Sequence, residues 1–193
     1  MANLNLQREK TALLSMDFHK LVVNACAMTR ERNTVGNAAK ALAAARSAGI
    51  PVLHVELHRF AGYASDRNKF QRTIRERIPA APPEQMAELM KVVDELAPAP
   101  GEAIVHKSRI NAFYASALDS LLRSKDIDTL ALMGVTTENV IEATARQAAD
   151  SDYRVIILED CCAAFTDTDH KNSIGYLERI ADIASADDFA QSL

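Results

Sequence analysis

The chain is short of several things, and each shortage narrows what it can be. Among its 193 residues there are three cysteines, Cys26, Cys161 and Cys162, and none stands in a C-x-x-C spacing. An odd total without that spacing argues against a secreted disulfide framework, so reduced thiols are expected. Long hydrophobic runs are missing as well. The first apolar run, Thr11–Met16, is far short of the ~20 residues that a membrane-spanning helix needs. There is no stripe of one charge: the net charge is −4, with acids and bases interspersed. Nucleic acid and membrane are therefore not expected partners. The basic clusters Arg30–Arg32 and Arg72–Arg77 are punctuated by acids and read as solvated helix faces. The opening MANLNLQREK lacks the basic-then-apolar pattern of a leader, and a cytoplasmic location is expected. With no internal repeat and no low-complexity linker, a single domain over residues 1–193 is expected.

What is present is ordinary globular material, 48% hydrophobic and 25% charged. A chain this long buries roughly 70% of its unfolded surface, enough to need no metal or disulfide staple. Five short apolar runs punctuate it: Thr11–Asp17, Pro51–Leu57, Ala103–Lys107, Thr129–Gly134 and Arg154–Leu158. Rich in Val, Ile and Leu, they read as strands covered on both faces. Between them, Val35, Ala38, Ala39, Leu42 and Ala45 fall on one helical stripe that Gly49-Ile50-Pro51 ends. Glu84–Leu96, Ala112–Ser124, Glu138–Ser151 and Asp169–Ile180 are further helical candidates, and Pro79, Pro82 and Pro83 mark a break. Alternating strands and helices predict right-handed crossovers and a parallel sheet, an α/β sandwich.

In such a sheet, ligands bind beyond the carboxyl ends of the strands. Asp17 ends the first strand there and Lys107 the third, while Gly134-Val135-Thr136-Thr137 joins the fourth to a helix. A carboxylate beside an ammonium can act as base, acid or orienting charge. With Thr136 or Thr137 as N-cap, the next amides are free for an anion. Taken residue by residue, a helix cap and a solvated lysine remain equally ordinary readings.

The segments ALLSMDFH, AIVHKSRINAF, GVTTENVIEATARQA and YRVIILEDCCAAFTDTDH together resemble the isochorismatase-like hydrolases, also called the cysteine hydrolase superfamily. The resemblance spans nearly the whole chain. It implies a three-layer α/β/α sandwich of Rossmann-like kind, with a six-stranded parallel sheet whose last strand lies near Ile180–Ser185. It also implies a homodimer or tetramer acting on a small molecule, with no cofactor. The implied site is Asp17, Lys107 and the Gly134 turn, with a cis peptide at Val135-Thr136 and oxyanion-binding amides at Thr136 and Val140. His19, where the family commonly has Gln, and Asn111, Phe113, Thr137 and Asn139 are the expected ligand contacts.

One position departs from the pattern. The family's nucleophilic Cys corresponds to Val140, and valine has no lone pair. Loss of such a nucleophile can cost about a million-fold in rate. Cys26, Cys161 and Cys162 lie elsewhere, and Cys162 corresponds to a small buried residue. Two readings remain: a thiol-free hydrolase of an amide, carbamoyl or enol-ether bond with Asp17 as acid/base, or a non-catalytic relative that keeps the pocket. The isochorismatases proper lack the Cys too, but carry a small residue where Val140 stands. Zinc-binding nicotinamidases of the family use an Asp-x-His pattern that His54 and His58 do not reproduce, so no metal is expected.

Overall fold

The computed structural model describes residues 4–58, 68–77 and 81–193; Pro79 and the first two residues of the charged stretch from Asp66 lie outside them. Six strands form one fully parallel sheet in the order β3-β2-β1-β4-β5-β6. They are β1 (Thr11–Met16), β2 (Val52–Leu57), β3 (Ala103–Lys107), β4 (Thr129–Val135), β5 (Arg154–Ala163) and β6 (Asp182–Ala184). Each runs close to the expected apolar segment, except β5, which continues five residues past Leu158 to Ala163. Its ladder with β4 slips between Leu132 and Gly134, and the register resumes at Gly134 opposite Cys162.

The sheet is buried on both faces because its side chains alternate. Leu13, Ala131, Met133, Ile156 and Leu158 point into one core. Ala12, Leu14, Met16, Leu130, Leu132, Val155 and Ile157 point into the other. The first core is closed by α3 (Thr34–Ala48) and α9 (Ala186–Gln191), with Ala38, Ala41, Leu42 and Ala45 inward. Gly49 ends α3 at φ 72°, the left-handed conformation that glycine adopts without strain. The second core is closed by α6 (Leu118–Ser124), α7 (Glu142–Asp150) and α8 (Asp167–Leu177). Two short helices, α1 (Lys20–Ala25) and α2 (Met28–Glu31), follow β1, and α4 (Lys69–Arg77) and α5 (Pro83–Leu89) lie between β2 and β3.

Three helical expectations need correction. The segment 112–117 is not helical: the Asn111 side chain accepts from the Phe113 amide, the Ser116 hydroxyl donates to the Ala112 carbonyl, and Ala115 sits at φ 50°. These local side-chain bonds compete with the helix ladder, so α6 starts only at Leu118. The helix expected from Glu138 opens instead with a wide π-turn over Thr137–Ile141 before α7 begins. The helix expected over Glu84–Leu96 stops at Leu89, where the chain turns to pair with His19. Arg32 also departs from a solvated face, because its guanidinium pairs with Glu159 on β5.

Candidate active site

Strand order reverses between β1 and β4: β2 and β3 lie to one side, β5 and β6 to the other. A crevice opens at such a point beyond the carboxyl ends of the strands. Met16 and Gly134 are the last residues of β1 paired with β4, so Asp17 and the Gly134 turn leave the sheet side by side. A Cβ on Gly134 would come within 2.5 Å of the Met16 carbonyl oxygen, so only glycine permits this approach.

Asp17 stands at φ 55°, an uncommon conformation for a residue with a side chain. Its Oδ2 lies 2.7 Å from Lys107 Nζ, with the lysine side chain 2% and the aspartate 12% exposed. The ammonium reaches Asp17 from β3 across the intervening β2, and also donates to the Arg109 carbonyl at 3.0 Å. The second carboxylate oxygen, Oδ1, is buried without a hydrogen-bond partner among the described residues. A buried acceptor in that condition is a functional candidate, since such groups are ordinarily satisfied.

His19 lies close, its Nε2 3.9 Å from Asp17 Oδ1. The Leu57 amide donates to Nε2 at 3.1 Å, so the ring proton sits on Nδ1, which donates to the Met90 carbonyl at 2.6 Å. Both nitrogens are engaged by backbone. His19 thus acts as a strut that ties the end of β2 to the chain after α5.

Across the crevice, the peptide Val135-Thr136 is cis. Thr136 stands at the N-cap position of the helical turn beyond it, and Thr137 is the first residue of that turn. Thr136 makes no side-chain cap bond, and its Oγ1 accepts from Asn139 Nδ2 at 2.7 Å. Thr137 is fully buried with its hydroxyl 2.8 Å from His170 Nδ1. The Thr136 carbonyl takes amide bonds from Asn139 (3.2 Å) and Ile141 (3.4 Å), on either side of Val140. Glu138, just ahead of Asn139, has Oε2 buried without a hydrogen-bond partner among the described residues, and burial pushes its carboxyl above the usual range.

Val140 is 2% exposed and packs in the apolar cluster of Met16, Val55, Val105, Ala112 and Cys162. Phe113 lies against the same cluster, its ring 5.9 Å from that of Tyr153, while Asn111 Oδ1 is held by the Phe113 amide. Cys162, nearest by register to the Gly134 turn, is fully buried and its thiol is pushed up to about 12 by desolvation, which leaves no thiolate for attack. Cys161 is shifted upward in the same sense, and Cys26 donates its Sγ–H to the Ala164 carbonyl.

His54 and His58 make separate contacts. His54 is buried on β2 with Nε2 2.8 Å from Glu102, whereas the His58 ring lies 5.1 Å from that of His106. No group of three or more His, Cys, Asp or Glu is placed to hold a metal ion among the described residues. Nor is any helix among them long and apolar enough to cross a membrane.

The six-stranded parallel sheet thus carries a charged pair where its strand order reverses. Residues 11–188 match the isochorismatase domain. The chain belongs to the isochorismatase family. Among curated proteins it is 29% identical to the isochorismatase family protein YecD of Escherichia coli O157:H7, over 98% of this chain and 100% of the relative. It is 32% identical to the ureidoacrylate amidohydrolase RutB of Pseudomonas syringae pv. syringae, over 65% of this chain, and the match spans only 56% of that relative's length. Among solved structures, N-carbamoylsarcosine amidase from Thermoplasma acidophilum superposes with a TM-score of 0.74 at 29% identity, over 92% of this chain and 97% of that one. An isochorismatase family protein from Burkholderia thailandensis reaches 0.82 at 24% identity, over 97% of both chains, which shows the shared fold. Sequence reasoning placed Asp17, Lys107 and the turn, but attached no significance to Glu138, Glu159 or His170. Buried polar side chains at those positions are visible only once the fold brings them behind the turn.

Proposed function

We propose that the chain hydrolyses a small molecule at an amide, carbamoyl or enol-ether bond without a cysteine nucleophile. Asp17 serves as acid/base, Lys107 as its electrostatic partner, and the Thr136 and Val140 amides as oxyanion donors. The observation that carries this reading is the buried Asp17–Lys107 pair with an unpartnered Oδ1. A buried ion pair is weak evidence for stability, since apolar replacements are often as stable. Its presence in a crevice is better accounted for by chemistry.

For a C–N bond, Oδ1 accepts a proton from a water molecule as the water oxygen attacks the carbonyl carbon. The carbonyl π electrons move onto oxygen, where the Thr136 and Val140 amides receive the charge. Collapse of that intermediate breaks the C–N bond, and Asp17 returns the proton to the departing nitrogen. Water is consumed, the amine or ammonia leaves, and Asp17 ends as it began. The names of the similar amidohydrolase and N-carbamoyl amidase support this bond class. For an enol ether, protonated Asp17 gives its proton to carbon, water adds to the resulting oxocarbenium carbon and returns a proton to Asp17, and the hemiketal collapses, its C–O bond breaking to release an alcohol and a ketone.

One observation favours a second reading, a relative that binds a ligand without turning it over. Val140, which the resemblance puts at the nucleophile's place, fills its space with buried apolar volume. The deciding experiment records ammonia from amides and carbamoyl compounds and pyruvate from isochorismate, with Asp17→Asn and Val140→Cys beside the natural chain. Product release that disappears in Asp17→Asn supports the hydrolase. Silence in the natural chain with turnover in Val140→Cys sinks it for those substrates in favour of the second reading. The resemblance also supports a cytoplasmic homodimer or tetramer, which sedimentation equilibrium tests.

A further inference from the structure

Behind the turn lies a chain of hydrogen bonds that the proposed chemistry does not use. Thr137 Oγ1 is 2.8 Å from His170 Nδ1, and His170 Nε2 is 2.7 Å from Glu159 Oε1. Arg32 Nη2 donates to the same Glu159 oxygen. Hydroxyl, imidazole and carboxylate stand in the order of a nucleophilic triad. Thr137 is 0% and His170 1% exposed, however, so no substrate carbon can meet this hydroxyl. The series instead runs from the end of α2 through β5 and α8 into the first residue of the π-turn.

Its polarity is set by the partners. Glu159 is held below the ordinary carboxylate range by His170 and Arg32, and so accepts. Nε2–H therefore donates to Glu159, which leaves Nδ1 to pair with the Thr137 hydroxyl. The turn needs such an anchor: it has no side-chain cap from Thr136, and the amide bonds to the Thr136 carbonyl measure 3.2 and 3.4 Å.

We propose that His170 is a positioning residue of the oxyanion turn, acting through the Thr137 hydroxyl, with Glu159 and Arg32 fixing its ring. Its value to catalysis rests on the reading that the Thr136 and Val140 amides bind an oxyanion; its effect on the geometry of the turn does not.

Two substitutions separate the ring nitrogens. His170→Asn puts an amide group near Nδ1 and keeps a partner for Thr137, whereas His170→Gln reaches toward Glu159 and abandons Thr137. Hydrogen exchange of the amides from Glu138 to Glu142 is followed by NMR, with the urea midpoint of each variant as a control for global stability. Losing one such bond speeds local exchange roughly tenfold. That acceleration is expected in Thr137→Val and His170→Gln, and not in Thr137→Ser or His170→Asn. In the double variant Thr137→Val/His170→Gln it is expected to be no greater than in the worse single one. Unchanged exchange in Thr137→Val, or identical behaviour of His170→Asn and His170→Gln, overturns the proposal. Should the substituted chains fail to fold, nitrogen NMR of the natural chain decides: a proton on His170 Nε2 supports it, and an Nε2 without a proton overturns it. Formate, a small oxyanion probe, is then titrated against the Thr136 and Val140 amide signals. His170→Gln is expected to need roughly tenfold more formate than His170→Asn. Formate that leaves both signals of the natural chain unmoved refutes oxyanion binding, while the exchange data still decide the role of His170.

Discussion

Removing the positive member of the buried pair is the sharpest perturbation that the structure offers. Lys107→Met keeps the length and apolar stem of the side chain and deletes only the charge. At 2.7 Å, and an effective dielectric of about 20, the lost attraction is about 6 kcal/mol before desolvation is counted. Desolvation of both groups offsets part of it, and truncating one partner of a buried pair typically costs about 3–5 kcal/mol. For a chain of this size, each kcal/mol moves Tm by about 2–4 °C, so a fall of roughly 6–20 °C is expected. Asp17→Asn should be milder, because asparagine accepts the φ of 55° and still offers an oxygen to the ammonium. In the double variant no buried charge remains without its counter-charge. Its stability should then match or exceed that of Lys107→Met alone, a coupling of about 3 kcal/mol. Urea denaturation of the four proteins at pH 7 measures the cycle. Additive losses, within about 0.5 kcal/mol, would show that the two groups do not act as a pair and would refute the electrostatic argument.

Gly134→Ala places a methyl carbon within 2.5 Å of the Met16 carbonyl; backbone cannot yield as a side chain can, and a loss of at least about 1–3 kcal/mol is expected in the same assay. Glu102, on which Arg46 and His54 converge, has its carboxyl lowered to about 2, chiefly by the Arg46 bond. A depressed carboxyl contributes stability above its unfolded pKa and loses it as pH falls. The gap between the natural chain and Glu102→Gln should therefore close between about pH 4.5 and 2; a constant gap contradicts the assignment. The three cysteines are all buried, so a disulfide reagent should find none in the folded protein and three in denaturant, and rapid native labelling would contradict their burial.

The sheet was legible because burial on both faces writes strands as short, continuous apolar runs, and Gly49 and Pro51 punctuate them where the backbone demands it. Asp17 and Lys107 were legible for a related reason: a charged residue closing a buried strand of a parallel sheet lands in the ligand crevice. The segment 112–117 was not, because its helix-like composition is overruled by the Asn111 and Ser116 side chains bonding to their own backbone. The π-turn was hidden as well, since a widened first turn leaves the spacing of Ile141, Ala145 and Ala148 looking helical. His19 shows a different limit. Its nearness to Asp17 follows from the sequence, but its engagement depends on Leu57 and Met90, which are distant along the chain. The bond from Thr137 to His170 spans 33 positions, and no local pattern signals it.

The His19 imidazole has one more consequence. The amide at the end of β2 and a carbonyl just after α5 meet on one ring, and Val93 and Lys20 add backbone bonds to the Phe18 and Lys91 carbonyls. The whole excursion between those two feet is thus clasped at its base, beside Asp17 yet without drawing on it. Closing a longer loop over the same clasp is cheap, about 0.6 kcal/mol for each doubling of length. The two feet are therefore held independently of the length of chain that joins them, and the charged pair stays where β1 and β3 put it.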